Sequence, residues 1–88
     1  MVSRRRLEQL LAQVVEGRGS IRFREFEALV VALGFEFKRQ TGSHRQYLHP
    51  KVGRPFPIQP DGKEAKRYQC RELRDMIALY GLTLDPDK

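Results

Sequence analysis

The chain has 88 residues, 40% of them hydrophobic, enough for one small domain at 1–88 that buries about two-thirds of its unfolded surface and has no room for a large cofactor. A formal net charge of +6 favours a polyanionic partner, or an acidic protein that mimics one. Cys70 is the sole cysteine, no Cys/His set has the spacing of a zinc site, and no run approaches the ~20 apolar residues of a membrane span, so no disulfide, metal centre or membrane segment is expected and the default setting is a reducing cytoplasm.

Ser3 is placed to cap a first helix in which Leu7, Leu10, Leu11, Val14 and Val15 recur at steps of three and four, until Gly17 and Gly19 stop it. Its polar interruptions are too frequent for a secretory signal. Arg4, Arg5 and Arg6 sit badly at a helix start, where the macrodipole prefers negative charge. Either an anion or a partner's carboxylates oppose them, or they are a solvated terminus.

Ser20-Ile21-Arg22 leads into a second helix whose Phe23, Phe26, Leu29, Val30 and Leu33 form one apolar face, with Gly34 as the left-handed stop and Phe35 able to fold back on Val30. Helical spacing accounts for these aromatics as core. Phe35 to Arg39 then alternates as a strand with Phe35 and Phe37 on the buried side. It pairs with Arg45 to His49 across a turn at Gly42-Ser43. The third apolar run, Pro55 to Gln59, carries two prolines of one parity, which suits an edge strand. An antiparallel meander with this strand last keeps proline out of the centre.

Pro60-Asp61-Gly62 reads as a turn, followed by a polar loop to Arg67. Cys70, Leu73, Met76, Ile77 and Tyr80 give a last helix its buried face, Gly81 its stop, and Leu82 a contact back to Ile77. Cys70 is therefore expected as a small apolar side chain rather than a nucleophile. Residues 83–88 are expected to fray. The architecture is α+β: an additional N-terminal helix over 1–17, then an α-β-β-β-α core over 20–82 with helices on one face of a three-stranded sheet.

The stretch Thr41 to Pro50 joins the turn to a strand and holds both histidines, His44 and His49. An imidazole leaving a turn near water can give or take a proton near neutrality. Lys38, Arg39 and Arg45 lie within a few residues, and cations beside a proton-transfer group suit a phosphodiester substrate. Alternation leaves open whether His44 faces the helices, because Leu48 shares its parity and Tyr47 has the opposite one.

The ordered set Leu33-Gly34-Phe35, Gly42-Ser43-His44, Tyr47, His49-Pro50, Tyr68-Gln69 and Tyr80-Gly81-Leu82 resembles the HicA toxin family over roughly Ile21 to Leu82. The resemblance implies a fold like that of double-stranded-RNA-binding domains, mRNA interferase activity in a toxin–antitoxin system, and neutralisation by a HicB-like antitoxin that covers the active site. It implies that His44, after Gly-Ser, is the catalytic residue. Many members carry a second histidine directly after the first, where this chain has Arg45.

On that basis His44 would take the proton of a ribose 2′-hydroxyl without a metal or other cofactor. Lys38, Arg39 and Arg45, with backbone N–H groups at Gly42 and Ser43, would hold the scissile phosphate of an mRNA. Lys51 and Arg54 are second-line phosphate contacts. Water or His49 would protonate the leaving oxygen. The alternatives are a non-catalytic RNA-binding module of the same fold, and a protein whose basic surface serves only an acidic partner. The first helix, through its apolar stripe and Arg4 to Arg6, would enlarge the antitoxin interface.

Overall fold

In the computed structural model, which describes residues 2–85, Ser3 caps α1 (Arg4–Glu16): its hydroxyl accepts from the Arg6 N–H at 3.1 Å, and Gly17 in the left-handed region closes the helix. Most of the apolar stripe of α1 is turned inward. Leu7, Leu10 and Val14 are buried in the common core, Leu10 with no exposure at all. Most of the stripe is thus taken up by packing within the chain, and Val15, 50% exposed, is the part it leaves at the surface. The three arginines at its start are mostly engaged inside the chain. Arg6 makes a two-pronged pair with Glu25 at 2.8 and 2.9 Å, which holds that carboxyl below its usual range. Arg4 lies 3.7 Å from Glu8 and donates to the Asp85 carbonyl at 2.8 Å.

Phe23–Ala32 forms α2, ending as predicted: the Phe35 N–H reaches back to the Val30 carbonyl and Gly34 takes φ +101. Added at Gly34, a Cβ would stand 2.9 Å from the His49 ring, so this position needs glycine for space as well as for φ. The sheet follows as β1 (Glu36–Thr41), β2 (His44–Leu48) and β3 (Phe56–Ile58), antiparallel, with β2 central and the proline strand at an edge. The α-β-β-β-α order behind an additional helix is thus the observed one. No helix among the described residues is long and apolar enough to cross a membrane.

Tyr47, Phe56 and Ile58 point to the helices and are buried, so β2 presents its odd residues inward and its even ones, His44, Gln46 and Leu48, outward. Phe37 departs from expectation. It pairs with Tyr47, and the two rings meet edge-on at 5.6 Å, yet it is 52% exposed because β1 lies at the sheet edge where helix cover ends.

The polar segment after Ile58 is not a free loop. Pro60–Asp61 (β4) and Glu64–Ala65 (β5) pair around Gly62-Lys63, and β5 is fastened to the start of α2. The Ala65 N–H donates to the Ile21 carbonyl at 2.8 Å, and the Phe23 N–H to that of Lys63 at 2.9 Å. The last helix, α3 (Arg67–Tyr80), buries Leu73 and Met76 as expected, with Cys70, Ile77 and Tyr80 partly covered. It also buries Gln69, 2% exposed. The Gln69 amide accepts from the Gln59 N–H at 3.2 Å and donates to the Pro57 carbonyl at 3.1 Å, completing the edge of β3 as a further strand would. Leu82 folds back on α3 through its N–H to the Ile77 carbonyl. The expected fray does not begin at 83, since the Asp85 N–H bonds the Ala32 carbonyl at 2.7 Å; residues 86–88 of that tail lie outside the described residues.

If α1 is part of the core rather than an appendage, Leu10→Ala should cost about 2–5 kcal/mol in urea unfolding, the range for a fully buried leucine. A cost within about 0.5 kcal/mol, as for an exposed site, would contradict that placement.

Candidate active site

The Gly42-Ser43 turn is a two-residue hairpin loop with Thr41 opposite His44. Only its first residue has positive φ, at +60, which is the sign pattern of a type II′ turn and the reason Gly precedes Ser here. Gln40 steadies the turn by donating from its amide to the Gly42 carbonyl at 3.0 Å. The N–H groups of Gly42 and Ser43 fall outside the paired ladder, which ends at Thr41 and His44.

His44 is exposed and shares the parity of Gln46 on the face without helices. No described residue hydrogen-bonds or ion-pairs with its imidazole. Arg39 reaches the same face through an irregularity in β1. Phe37 opposes Tyr47 and Arg39 opposes Gln46, so Lys38 is an extra residue on β1. That bulge reverses the strand's parity. Without it Arg39 would oppose Arg45 and face the helices; with it, Arg39, Thr41 and His44 lie together on open surface. Lys38 pairs with Glu36 at 3.3 Å, beside a shallow hollow of about 300 Å³ shared with Leu48, His49 and Gly53.

Arg45 is not brought to this group. Successive residues of a strand point to opposite faces, and Arg45 turns toward α2. Its guanidinium pairs with the Glu27 carboxylate and lies 5.9 Å from the centre of the Phe23 ring. The same carboxylate accepts from the Tyr47 hydroxyl at 2.7 Å. Burial first, and the hydrogen bond to Glu27 second, push the Tyr47 phenol well above its ordinary pKa. The expected phosphate contact is thus a strut between α2 and β2.

His49 is also occupied. Its Nδ1 accepts from the Lys51 N–H at 3.0 Å, and its Nε2 lies 3.0 Å from the Leu33 carbonyl. A backbone N–H only donates and a carbonyl only accepts, so the proton is on Nε2 and both ring nitrogens are committed. The ring packs edge-on against Phe35 at 5.0 Å. It is a brace for the end of α2, which removes it as the proton donor suggested from sequence.

Lys51 and Arg54 belong to the β2–β3 connection, roughly 13 Å or more from His44 at about 3.3 Å per strand residue. Arg54 turns to α3, 3.9 Å from Glu72. Other cations occupy the His44 end of the fold. β2 starts there, β3 ends there, and the pairing of Arg45 with Ile58 and its contact with Phe23 bring the start of α2 to the same end. Arg22, Arg24 and Lys63 line a hollow of about 460 Å³ with Phe23, Pro60 and Gly62. Sequence reasoning misses them because they lie about 20 residues to either side of His44. The one available signal is the Gly62 hairpin, which returns the chain to Ile21.

A family model described as HicA toxin of bacterial toxin-antitoxin matches residues 23–78, from the start of α2 into the last turn of α3, leaving α1 outside. No curated protein and no solved structure matches the chain.

The raised phenol has a definite consequence for pH. Below about pH 10 folded and unfolded states both keep the Tyr47 proton, so it contributes no pH dependence; above it only the unfolded state releases the proton, and stability falls. Urea unfolding from about pH 9 to 11 should show a steeper loss in the native chain than in Tyr47→Phe. Equal slopes would show that the phenol is not held in its neutral form.

Proposed function

The chain belongs to the HicA toxin family, and on that premise we propose that it is an mRNA interferase whose proton-transfer residue is His44. The observation that carries the reading is the position of His44 at the end of a glycine-defined hairpin, on the sheet face that no helix covers, with Arg39 turned to the same face by the β1 bulge. An extended RNA strand can reach that face without any opening of the fold.

In the proposed reaction the neutral imidazole of His44 takes the proton of a 2′-hydroxyl, and the oxygen attacks the adjacent phosphorus. The P–O bond to the next nucleotide breaks, and its 5′-oxygen takes a proton from water. Arg39, with Lys38 behind it, would neutralise the phosphate oxygens, and the Gly42 and Ser43 N–H groups would act as further donors. Arg45 has no direct part. A HicB-like antitoxin would act by covering this open face, and its acidic groups would meet the same cations. The exposed Phe37 ring beside it is an apolar point of contact for such a partner.

A second reading, a binding module that holds RNA without cutting it, is favoured by one observation: among the described residues nothing orients the His44 ring. Induced expression of the native chain and of His44→Ala at equal soluble levels separates the two. The interferase reading expects growth arrest and loss of mRNA only with the native chain, and cleavage in vitro lowered by about 10²–10⁴ in the variant, with RNA affinity changed little. Equal effects of both folded proteins would leave binding as the function.

A further inference from the structure

A second concentration of positive charge lies outside both the sheet and the face around His44. Where the end of α1 and the loop after it meet the first half of α3 there is a pocket of about 260 Å³. Val14, Ile21 and Cys70 form its apolar part, and Arg18, Arg67, Arg71 and Arg74 surround it, with no carboxylate among the described residues of the lining. Arg67, Arg71 and Arg74 recur at steps of four and three, so α3 turns one face of like charge toward the hollow, an arrangement that repels itself unless an anion intervenes.

The available counter-charges do not fill the pocket. Glu16 holds Arg18 at 2.6 Å and Asp75 holds Arg74 at 3.4 Å, both as exposed pairs outside the lining. Arg67 donates to the Gly19 carbonyl at 3.2 Å, and Arg71 has no partner among the described residues. The Arg74 guanidinium lies over Gly17, its Nη1 in ordinary contact distance, 3.6 Å, of the point a Cβ there would occupy. The start of α3 adds to the field, since Lys66 provides no side-chain cap for its first N–H groups. Burial raises the Cys70 thiol pKa and keeps it protonated, so it does not compete as a negative group, while Arg67 and Arg71 act on it in the opposite sense.

We propose that this pocket between α1 and α3 binds a phosphate group, supplied by the backbone of an RNA strand. Its volume is below the ~300 Å³ at which pockets begin to enclose drug-sized ligands, which fits one phosphate and part of its sugar rather than a nucleotide with its base. The planar, five-donor guanidinium is the side chain suited to phosphate oxygens. Three of the pocket's arginines lie on α3 within the matched residues, while Gln13 and Val14 of α1 and Arg18 of the loop after it, outside the match, complete the wall. The site does not depend on cleavage at His44.

The test uses the whole chain, the pocket variant Arg67→Gln/Arg71→Gln, and Arg4→Gln/Arg5→Gln as an equal reduction of charge elsewhere. The probes are inorganic phosphate and a single-stranded RNA of about 12 nucleotides, 2′-O-methylated throughout so that it cannot be cut. Phosphate at millimolar level should raise the melting temperature of the native and control proteins but not of the pocket variant. RNA affinity should fall about tenfold further in the pocket variant than in the control, with the salt slope reduced by about 1 for each phosphate that the variant no longer neutralises. Arg67→Lys/Arg71→Lys should recover much of the binding, which separates missing charge from a damaged fold. Discrimination by phosphate with RNA affinity equal to the control would overturn RNA as the source and leave a free phosphate ion as the ligand. Identical responses of pocket variant and control to both probes would overturn the site itself, as would capture of polyaspartate with no effect of phosphate.

Discussion

The carboxylate of Glu27 ties the central strand to α2 on the side where Tyr47, Phe56 and Ile58 are buried. It is half-buried on α2, receives the Tyr47 hydroxyl and pairs with the Arg45 guanidinium, two side chains of one parity on β2. Removing one partner from such a group leaves the others partly desolvated and unmatched, at a cost of up to about 3–5 kcal/mol where burial is complete and less here. With Tyr47 and Arg45 drawn inward, His44, Gln46 and Leu48 must face outward, and β1 and β3 take their faces from the pairing. Phe56 and Ile58 then meet Phe26 and Phe35 in the core, with the Phe35 and Phe56 rings 5.6 Å apart. The exposure of the candidate catalytic residue follows from an interaction made on the opposite side of the sheet.

The two sheet edges are treated differently, and the difference bears on where a strand or partner can lie. Pro57 takes one N–H out of β3, and the Gln69 amide satisfies the Pro57 carbonyl and the Gln59 N–H, so that edge is closed by α3. β1 has no such cover. Its bulge at Lys38 twists the strand and sends Arg39 outward, while Phe37 stands half out of the core beside it. Open face and open edge therefore adjoin, and both border the His44 hairpin. The β4–β5 hairpin binds α2 to the start of α3 and keeps Arg22, Arg24 and Lys63 at that end of the molecule.

The positive charge of the chain is divided in the same way. Arg6 and Arg45 are engaged within the fold, by Glu25 and Glu27, where each tethers α2 to a neighbouring element. Surface pairs such as Arg4 with Glu8 contribute little in water. Of the cations left over, Arg22, Arg24, Arg39 and Lys63 lie at the His44 end, and Arg18, Arg67, Arg71 and Arg74 around the cleft that α1 forms with α3. The second group lies on α3 and on the loop after α1, so α1 enters it as the opposite wall of the cleft.

Much of this was legible in the sequence because it depends on near neighbours. Ser3, Gly17, Gly34 and Gly81 mark helix ends by local backbone geometry, three- and four-residue spacing marks the buried helix faces, and Gly42-Ser43 marks a hairpin with His44 beside it. The parity of Pro55 and Pro57 was enough to place β3 at an edge. What stayed hidden depends on contacts between distant parts of the chain: Arg45 with Glu27, Gln69 with the rim of β3, Ile21 with Ala65, and the bulge that exposes Arg39. Period-two alternation determined that His44 and Arg45 point apart. Which of them faces water was decided only by tertiary structure, because that choice belongs to the packing of Tyr47, Phe56 and Ile58 against the helices and to a carboxylate 18 residues from Arg45, on another element.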